Sequence, residues 1–277
     1  MENAFIFDIP FLVDPIINVL VIFYHALEWL HIPYALGFAI VLLTVFVRLL
    51  MYPLTTKQLQ MSKKMQELAP HMSKIKDKHK GDMRRQQEAT MALYKEHNLN
   101  PAAGCLPGLV QIVVLIFGLY PALLKVLTVS GKDIATTVNE RLFSPALHLT
   151  SAWNTDFFGL ELGKTPADLY AAFGIAMFAI PVITGGLQFI QSKMMLPAAS
   201  KKAVSVKDSK KPDDFATMFQ KQSLYILPFM IGFFSWYFSV GLSLYWNTFT
   251  IFGIIQQYKV AGLGGVADWV AKLRKKA

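Results

Sequence analysis

The sequence predicts an all-α membrane protein: five transmembrane helices, a cytosolic helical hairpin and an N-terminal interfacial amphipathic helix. Three observations carry this. Of 277 residues, 54% are apolar and only 16% are charged, whereas ordinary soluble domains are about 45–50% apolar and about 25% charged. The excess is gathered in charge-free stretches long enough to cross a hydrocarbon core of about 30 Å, which takes roughly 20 helical residues. Basic blocks alternate along the chain with neutral or acidic ones. Disorder, a coiled coil and a secreted disulfide scaffold are excluded, and the single Cys105 can form neither an internal disulfide nor a cysteine metal site.

Residues 1–32 come first, an extracytoplasmic tail and helix with four acids (Glu2, Asp8, Asp14, Glu28) and no Lys or Arg. Met1–Glu28 lacks a basic n-region and an A-x-A cleavage site, and is not Arg/Ser-rich. Neither a cleaved signal nor a transit peptide is expected, which points to a bacterium. Asp14–His31 is apolar except Asn18, His25 and Glu28, whose spacings of 7 and 3 place them on one helical face. Pro15 suits a first helical position after an Asp cap. A helix lying in the outer interface fits this pattern. The competing sixth span would need an acidic N-terminus in the cytosol and a turn of a few residues before Tyr34.

The remaining segments follow from the hydropathy. Span 1 is 33–53, the cytosolic hairpin 54–103, span 2 104–124, an extracytoplasmic loop 125–168, span 3 169–191 and a basic cytosolic loop 192–221. Gln222–Tyr258 runs 37 residues without a charge. It reads as two spans, 222–240 and 241–258, joined by a tight turn at Gly241–Ser243 and slightly short of the core thickness. A basic tail, 259–277, ends the chain. Arg48–Asn98 holds 11 basic and 5 acidic residues, Lys125–Asp168 4 and 5, Lys193–Lys221 7 and 3, and Lys259–Ala277 5 and 1. The positive-inside rule then puts the N-terminus outside and the C-terminus in the cytosol of a bacterial plasma membrane.

Within the hairpin, Met61, Met65, Leu68, Met72 and Ile75 recur at 4, 3, 4, 3, an a/d seam. Lys80-Gly81-Asp82 is a turn whose Asp82 can cap the next helix. Met83, Thr90, Leu93 and Tyr94 give that helix a matching stripe, and Pro70 should bend the first one. The Met seam reads either as glue for the hairpin or as an adaptable binding surface.

Catalytic chemistry is hard to place. The spans contain no Asp, Glu, His or Lys, so an intramembrane protease and a proton-coupled transporter lack their groups. There is no P-loop, G-x-G-x-x-G or H-E-x-x-H, and Gly241-Leu-Ser243-Leu-Tyr245 lacks the last glycine of G-x-S-x-G. The expectation is a non-enzyme without cofactor or metal, working by binding and by solvent geometry.

Arg48 is the spans' one strong ionisable group, roughly 5–8 Å inside the cytosolic end of span 1. Position alone allows a snorkelling side chain or a charge facing a wet cavity between helices. Gln111 in span 2, Gln188 and Gln191 in span 3, and Asn247, Thr248 and Thr250 in span 5 could wall such a cavity. An arginine without a counter-charge is free to attract an incoming acid, by about 4 kcal/mol at ~4 Å and an effective dielectric near 20.

Four stretches, in order, carry a resemblance. They are Val47-Arg48 through Tyr52-Pro53-Leu54-Thr55; Tyr94 through Asn100-Pro101-Ala102-Ala103-Gly104-Cys105-Leu106-Pro107; Gln188 through Gln191-Ser192-Lys193-Met194; and Gly241-Leu242-Ser243-Leu244-Tyr245-Trp246 through Gln256-Gln257. Together they resemble the YidC/Oxa/Alb family of membrane protein insertases, in a short form without a large periplasmic domain. The resemblance covers about residues 11–260. It implies a five-helix core around a hydrophilic groove open to the cytosol and to lipid and closed outside. In that frame Arg48 is a groove arginine, with Gln111, Gln188, Gln191, Trp246 and Thr250 lining the groove. Many members carry Asn where Thr250 stands, a departure here.

The implied mechanism draws an acidic substrate tail to Arg48 and releases the apolar segment along a slide on spans 2 and 4 (Ile112, Phe117, Phe229, Phe233). The implied partners are nascent membrane proteins, the ribosome through hairpin and basic tail, the Sec translocon, the signal recognition particle pathway and anionic lipids, without specific nucleic-acid recognition. A small-solute channel or transporter is the rival. It predicts inverted repeats, which the sequence lacks, whereas Trp236, Tyr237 and Phe238 favour a closed outer side.

Overall fold

The computed structural model describes residues 9–99, 109–128, 133–196 and 215–274. The motif at Asn100–Pro107, most of the basic loop 192–221 and the Lys275-Lys276 end lie outside them.

Proline punctuates the first half of the chain. Helix α1 (Pro10–Trp29) opens on Pro10, a residue suited to a first turn, where its missing N–H costs nothing. Tyr34, at φ 60°, turns the chain into α2 (Ala35–Leu50). Pro53 lies in the first turn of α3 (Tyr52–Glu67), and the two helices meet at 62°. α4 (Ala69–Lys78) starts after a break at Leu68 with Pro70 in its first turn, so the expected bend is present. Asp82 then caps α5 (Met83–Glu96), accepting from Arg85 N at 3.0 Å. Met61, Met65, Met72 and Leu93 pack around Leu68, Tyr94 and Leu99, and Tyr94 Oη donates to Met72 Sδ at 3.3 Å. The methionine seam therefore holds the hairpin together. Met83, expected in the facing stripe, is 75% exposed instead, because it stands at the first residue of α5, beyond the seam.

α6 (Leu109–Leu127) contains a π turn at Leu115–Leu119. Next come α7 (Asp133–Asn139) and a two-stranded antiparallel hairpin, β1 (Asp156–Phe157) and β2 (Leu160–Glu161). α8 (Pro166–Phe173) carries a capping box between Thr165 and Asp168, and passes through a 3-10 turn (Gly174–Phe178) into α9 (Ala179–Met194). α10 (Phe215–Ser235), α11 (Val240–Ala261) and α12 (Ala267–Arg274) complete the chain.

The turn between the last two long helices is not at Gly241–Ser243. It lies at residues 236–239, where Ser239 caps α11 by accepting from Leu242 N at 3.3 Å. Gly241 serves close packing instead: its N donates to Leu162 O at 2.8 Å, and a Cβ there would come within 2.6 Å of Leu127 Cδ1. α10 and α11 have 21 and 22 residues, about 32 Å each. They extend past the charge-free stretch at its ends, taking in Lys221 and Lys259, and the apolar part of α10 is the shorter Leu224–Ser235.

By length and composition α1, α6 and the run Pro166–Met194 can each cross a membrane, and the bent pair α2–α3 passes together. This is an all-α, multi-pass membrane protein. α11 is long enough, but Ser243, Asn247, Thr248, Thr250, Gln256 and Gln257 lower its hydropathy. The polar residues of α1 divide: Asn18 is buried, His25 half-buried and Glu28 exposed. Buried Asn18 donates to Asp14 O and to Arg141 O, both at 2.8 Å, and accepts from Phe143 N at 2.9 Å. Asp14 pairs with Arg141 at 3.2 Å, and His25 Nε2 lies 3.1 Å from Leu147 O. The segment after α7 thus covers Asn18 and His25.

The main core joins α1, α2, α6 and the N-terminal end of α11, through Ile17, Leu20, Ile40, Leu123, Leu242 and Tyr245. The loop between α6 and α8 seals it. Val240 N donates to Lys164 O at 2.8 Å. Phe157 sits on Gly37, where any Cβ would collide with its ring, and Tyr34 stacks on Phe158 with centroids 4.6 Å apart. At this end of the helices the protein is packed shut.

Candidate functional site

The site begins with one awkward residue. Arg48 lies in the last turn of α2 and is 4% exposed. Its side chain does not snorkel outward, and it meets no acid among the described residues. It turns beneath α11, where Nη2 donates to Phe249 O at 2.6 Å and the guanidinium lies 3.3 Å from the Phe249 ring centroid. Phe252 flanks it at 5.9 Å. Cation–π contact of this kind compensates part of the lost hydration. Arg48 makes no ion pair among the described residues, and its Nε is buried without a hydrogen-bond partner.

Gly253 makes this placement possible. A Cβ at that position would come within 2.8 Å of Arg48 Nη2 and would collide with the Gln191 amide. The guanidinium, the amide of α9 and the bare backbone of α11 therefore meet at one point. Sequence reasoning missed both Gly253 and Phe249. A glycine inside a long helix is the signal that could have found the first, because its helix cost usually has a packing reason.

The other expected groove residues divide. Gln188 Oε1 accepts from Trp246 Nε1 at 3.4 Å, linking α9 to α11 one turn from the arginine. Thr250 is 1% exposed and its hydroxyl donates to Trp246 O at 2.9 Å, so it is turned back onto its own helix. Gln111 is half-buried on α6, and no hydrogen bond among the described residues ties it to Arg48. Ser243 Oγ, Tyr245 Oη and Asn247 Oδ1 on α11 are buried without partners, like Arg48 Nε. Unmet polar atoms are costly away from water.

Of the expected slide, Phe229 and Phe233 line an apolar cleft of about 680 Å³ between α9 and α10. Ile112, 50% exposed, and half-buried Phe117 do not line it. The two halves of the slide are thus not joined in one cleft, because α10 packs chiefly on α9.

Below the arginine, glutamine amides tie the hairpin base to the helices. Gln256 Nε2 lies 2.6 Å from Thr55 Oγ1, 3.1 Å from Thr56 Oγ1 and 3.2 Å from Tyr52 O, at the 62° bend. Gln257 donates to Met194 O at 3.3 Å and Gln66 to Met195 O at 2.6 Å. Gln256→Leu removes the two amide protons shared among these oxygens and leaves buried Thr55 without that donor, a loss of about 1–3 kcal/mol. The expected result is a lower thermal midpoint and a broadened spin-label distance between Lys80 and Ser192. An unchanged distribution would show that the bend is set elsewhere.

A family model described as "60Kd inner membrane protein" matches residues 29–263. The chain belongs to that family. Among relatives of this 60Kd inner membrane protein family, the chain is 34% identical over 272 residues to "Inner membrane protein ALBINO3, chloroplastic" of Arabidopsis thaliana, covering 92% of this chain and 53% of that protein. It is 32% identical over 230 residues to "Membrane protein insertase MisCA" of Bacillus subtilis, covering 82% and 70%. It is 29% identical over 224 residues to "Membrane protein insertase YidC" of Oceanobacillus iheyensis, covering 79% and 72%. The chain thus spans about half the length of the ALBINO3 relative. The expected YidC/Oxa/Alb resemblance is the family found.

Proposed function

We propose that this protein is an insertase and chaperone for newly made membrane proteins; its relatives in Bacillus subtilis and Oceanobacillus iheyensis are named membrane protein insertases. The observation that carries the reading is the buried Arg48 cation, held by a backbone carbonyl and two aromatic rings and left without an acid among the described residues. Such a charge is a receptor for a carboxylate. The hairpin and basic tail receive the nascent chain at the ribosome. The substrate's acidic tail moves toward Arg48, Gln188 and Gln191, which shortens its remaining apolar path. The apolar segment leaves past Phe229 and Phe233 into lipid, driven by about 25 cal/mol per Å² of buried surface. No nucleotide is required, because the substrate's own partition energy does the work.

The proposed setting is a bacterial plasma membrane with the N-terminus outside, the C-terminus cytosolic and five spans (α2, α6, α9, α10 and α11). The Sec translocon, the signal recognition particle pathway and anionic lipids are proposed partners. The packed contacts of Leu162, Lys164 and Phe157 at one end of the helices support a one-sided groove over a channel. Reconstitution without the Sec channel tests the activity. A single-span substrate made beside liposomes should acquire a protease-protected tail only when this protein is present. Equal protection in empty liposomes would remove the insertase reading.

A further inference from the structure

The cleft between α9 and α10 has a chemistry at each end that Arg48 does not use. Gly185, Gly186 and Gly232 floor it, and Phe189, Phe229 and Trp236 wall it. At one end Trp236 stacks on Phe178 with centroids 4.5 Å apart, and Tyr170 closes on Trp236 at 5.9 Å. At the other end Phe189 stacks on Trp269 of α12 at 6.0 Å. Lys193 stands four residues beyond Phe189, on the same face of α9, with Nζ 3.3 Å from the Trp269 ring centroid. Lys193 forms no ion pair among the described residues. On α12, Lys272 and Arg274 are exposed beside exposed Trp269 and Leu273, and Asp268 is that helix's one acid.

We infer that this cleft is a binding site for an anionic phospholipid, with an acyl chain between α9 and α10 and the phosphate at Lys193 and the basic face of α12. Charge selects this occupant: an apolar trough ends beneath a lysine and a short basic helix carrying Trp, the composition of an interfacial anchor for acidic headgroups. The cleft shares Phe229 and Phe233 with the proposed exit path, but lipid retention is read without any insertion assay, so the two readings fail separately.

Gly186 gives a clean probe. It lines the cleft, yet a Cβ there meets nothing within 4 Å, so Gly186→Leu fills the trough without moving backbone. Delipidated protein would be titrated with phosphatidylglycerol or phosphatidylcholine of matched chains and bound lipid counted by native mass spectrometry, with helix content checked by circular dichroism. The wild type should retain phosphatidylglycerol at least about fivefold better, and Lys193→Gln should lower its retention about fivefold while leaving phosphatidylcholine unchanged. Gly186→Leu should lower both. Val182→Phe, which fills the same trough from the α9 side, must act in the same direction. Unchanged lipid counts in both filling variants, equal retention of the two lipids by the wild type, or a protein dimer that Gly186→Leu dissolves would each overturn the assignment.

Discussion

Arg48→Glu is expected to slow insertion of a single-span substrate with an acidic tail by at least about tenfold. The reversal replaces an attraction of about 4 kcal/mol at ~4 Å with a repulsion of similar size, before desolvation, and even a third of that difference exceeds a factor of ten. The substitution also has a structural cost. Nη2 donates to Phe249 O at 2.6 Å, and a carboxylate there would face a carbonyl oxygen with nothing to donate. Two controls separate these effects. Arg48→Lys keeps the charge and a donor, so it should retain much of the activity. A substrate whose tail is neutral should be inserted by Arg48→Glu at nearly the normal rate if the helices still pack. Equal slowing of acidic and neutral tails would mean the variant is simply damaged, and no slowing of either would remove electrostatic capture from the mechanism. Liposome insertion assays read all of these.

Gly232→Leu is expected to lower stability by about 1–3 kcal/mol, the usual range for overpacking. A Cβ at Gly232 would lie 3.1 Å from Pro181 O and 3.2 Å from Gly185 Cα. Both are backbone atoms, so no side chain can yield and α9 and α10 must part. Close approach of small residues is what holds helices together where surrounding lipid is as apolar as they are. The gain in helix propensity on replacing glycine, about 1 kcal/mol, offsets part of the loss. Gly186→Leu is the contrast, one residue along from Gly185 but with open space around it. Thermal unfolding in detergent should show a clear drop for Gly232→Leu and little change for Gly186→Leu. Equal behaviour of the two would mean the helix crossing is looser than these contacts describe.

Much of the architecture was legible because long apolar runs and charge blocks obey simple rules. The hairpin turn at Lys80-Gly81-Asp82 and its cap were readable from local chemistry alone, and the structure has both. Gly241 misled because glycine marks either a turn or a close contact, and only the neighbouring Leu127 and Leu162 decide which. Asn18, His25 and Glu28 suggested a wet face, but a partner segment over 120 residues away in sequence meets Asn18 and His25 and leaves only Glu28 exposed, and helical periodicity carries no information about such a partner. Arg48 stood out by charge. Its holders did not: a backbone carbonyl, an aromatic face and a bare glycine leave no pattern in a single sequence. Thr250 and Gln111 share the polarity of Gln188 but not its orientation, which depends on how α6, α9 and α11 are rotated.

The sealed end of the helix bundle also has an electrical meaning. Between Arg48 and the point where Leu162 and Lys164 cap the start of α11, Leu36, Ile40, Leu43 and Tyr245 pack with almost no exposure, so in the proposed orientation a membrane voltage would fall across that dry stretch. A carboxylate moving on from Arg48 would gain the drop as it crossed it, about 2.3 kcal/mol per charge for each 100 mV. With the cell interior negative, that force points outward, and the wall that blocks leakage would be the place where the field does its pulling.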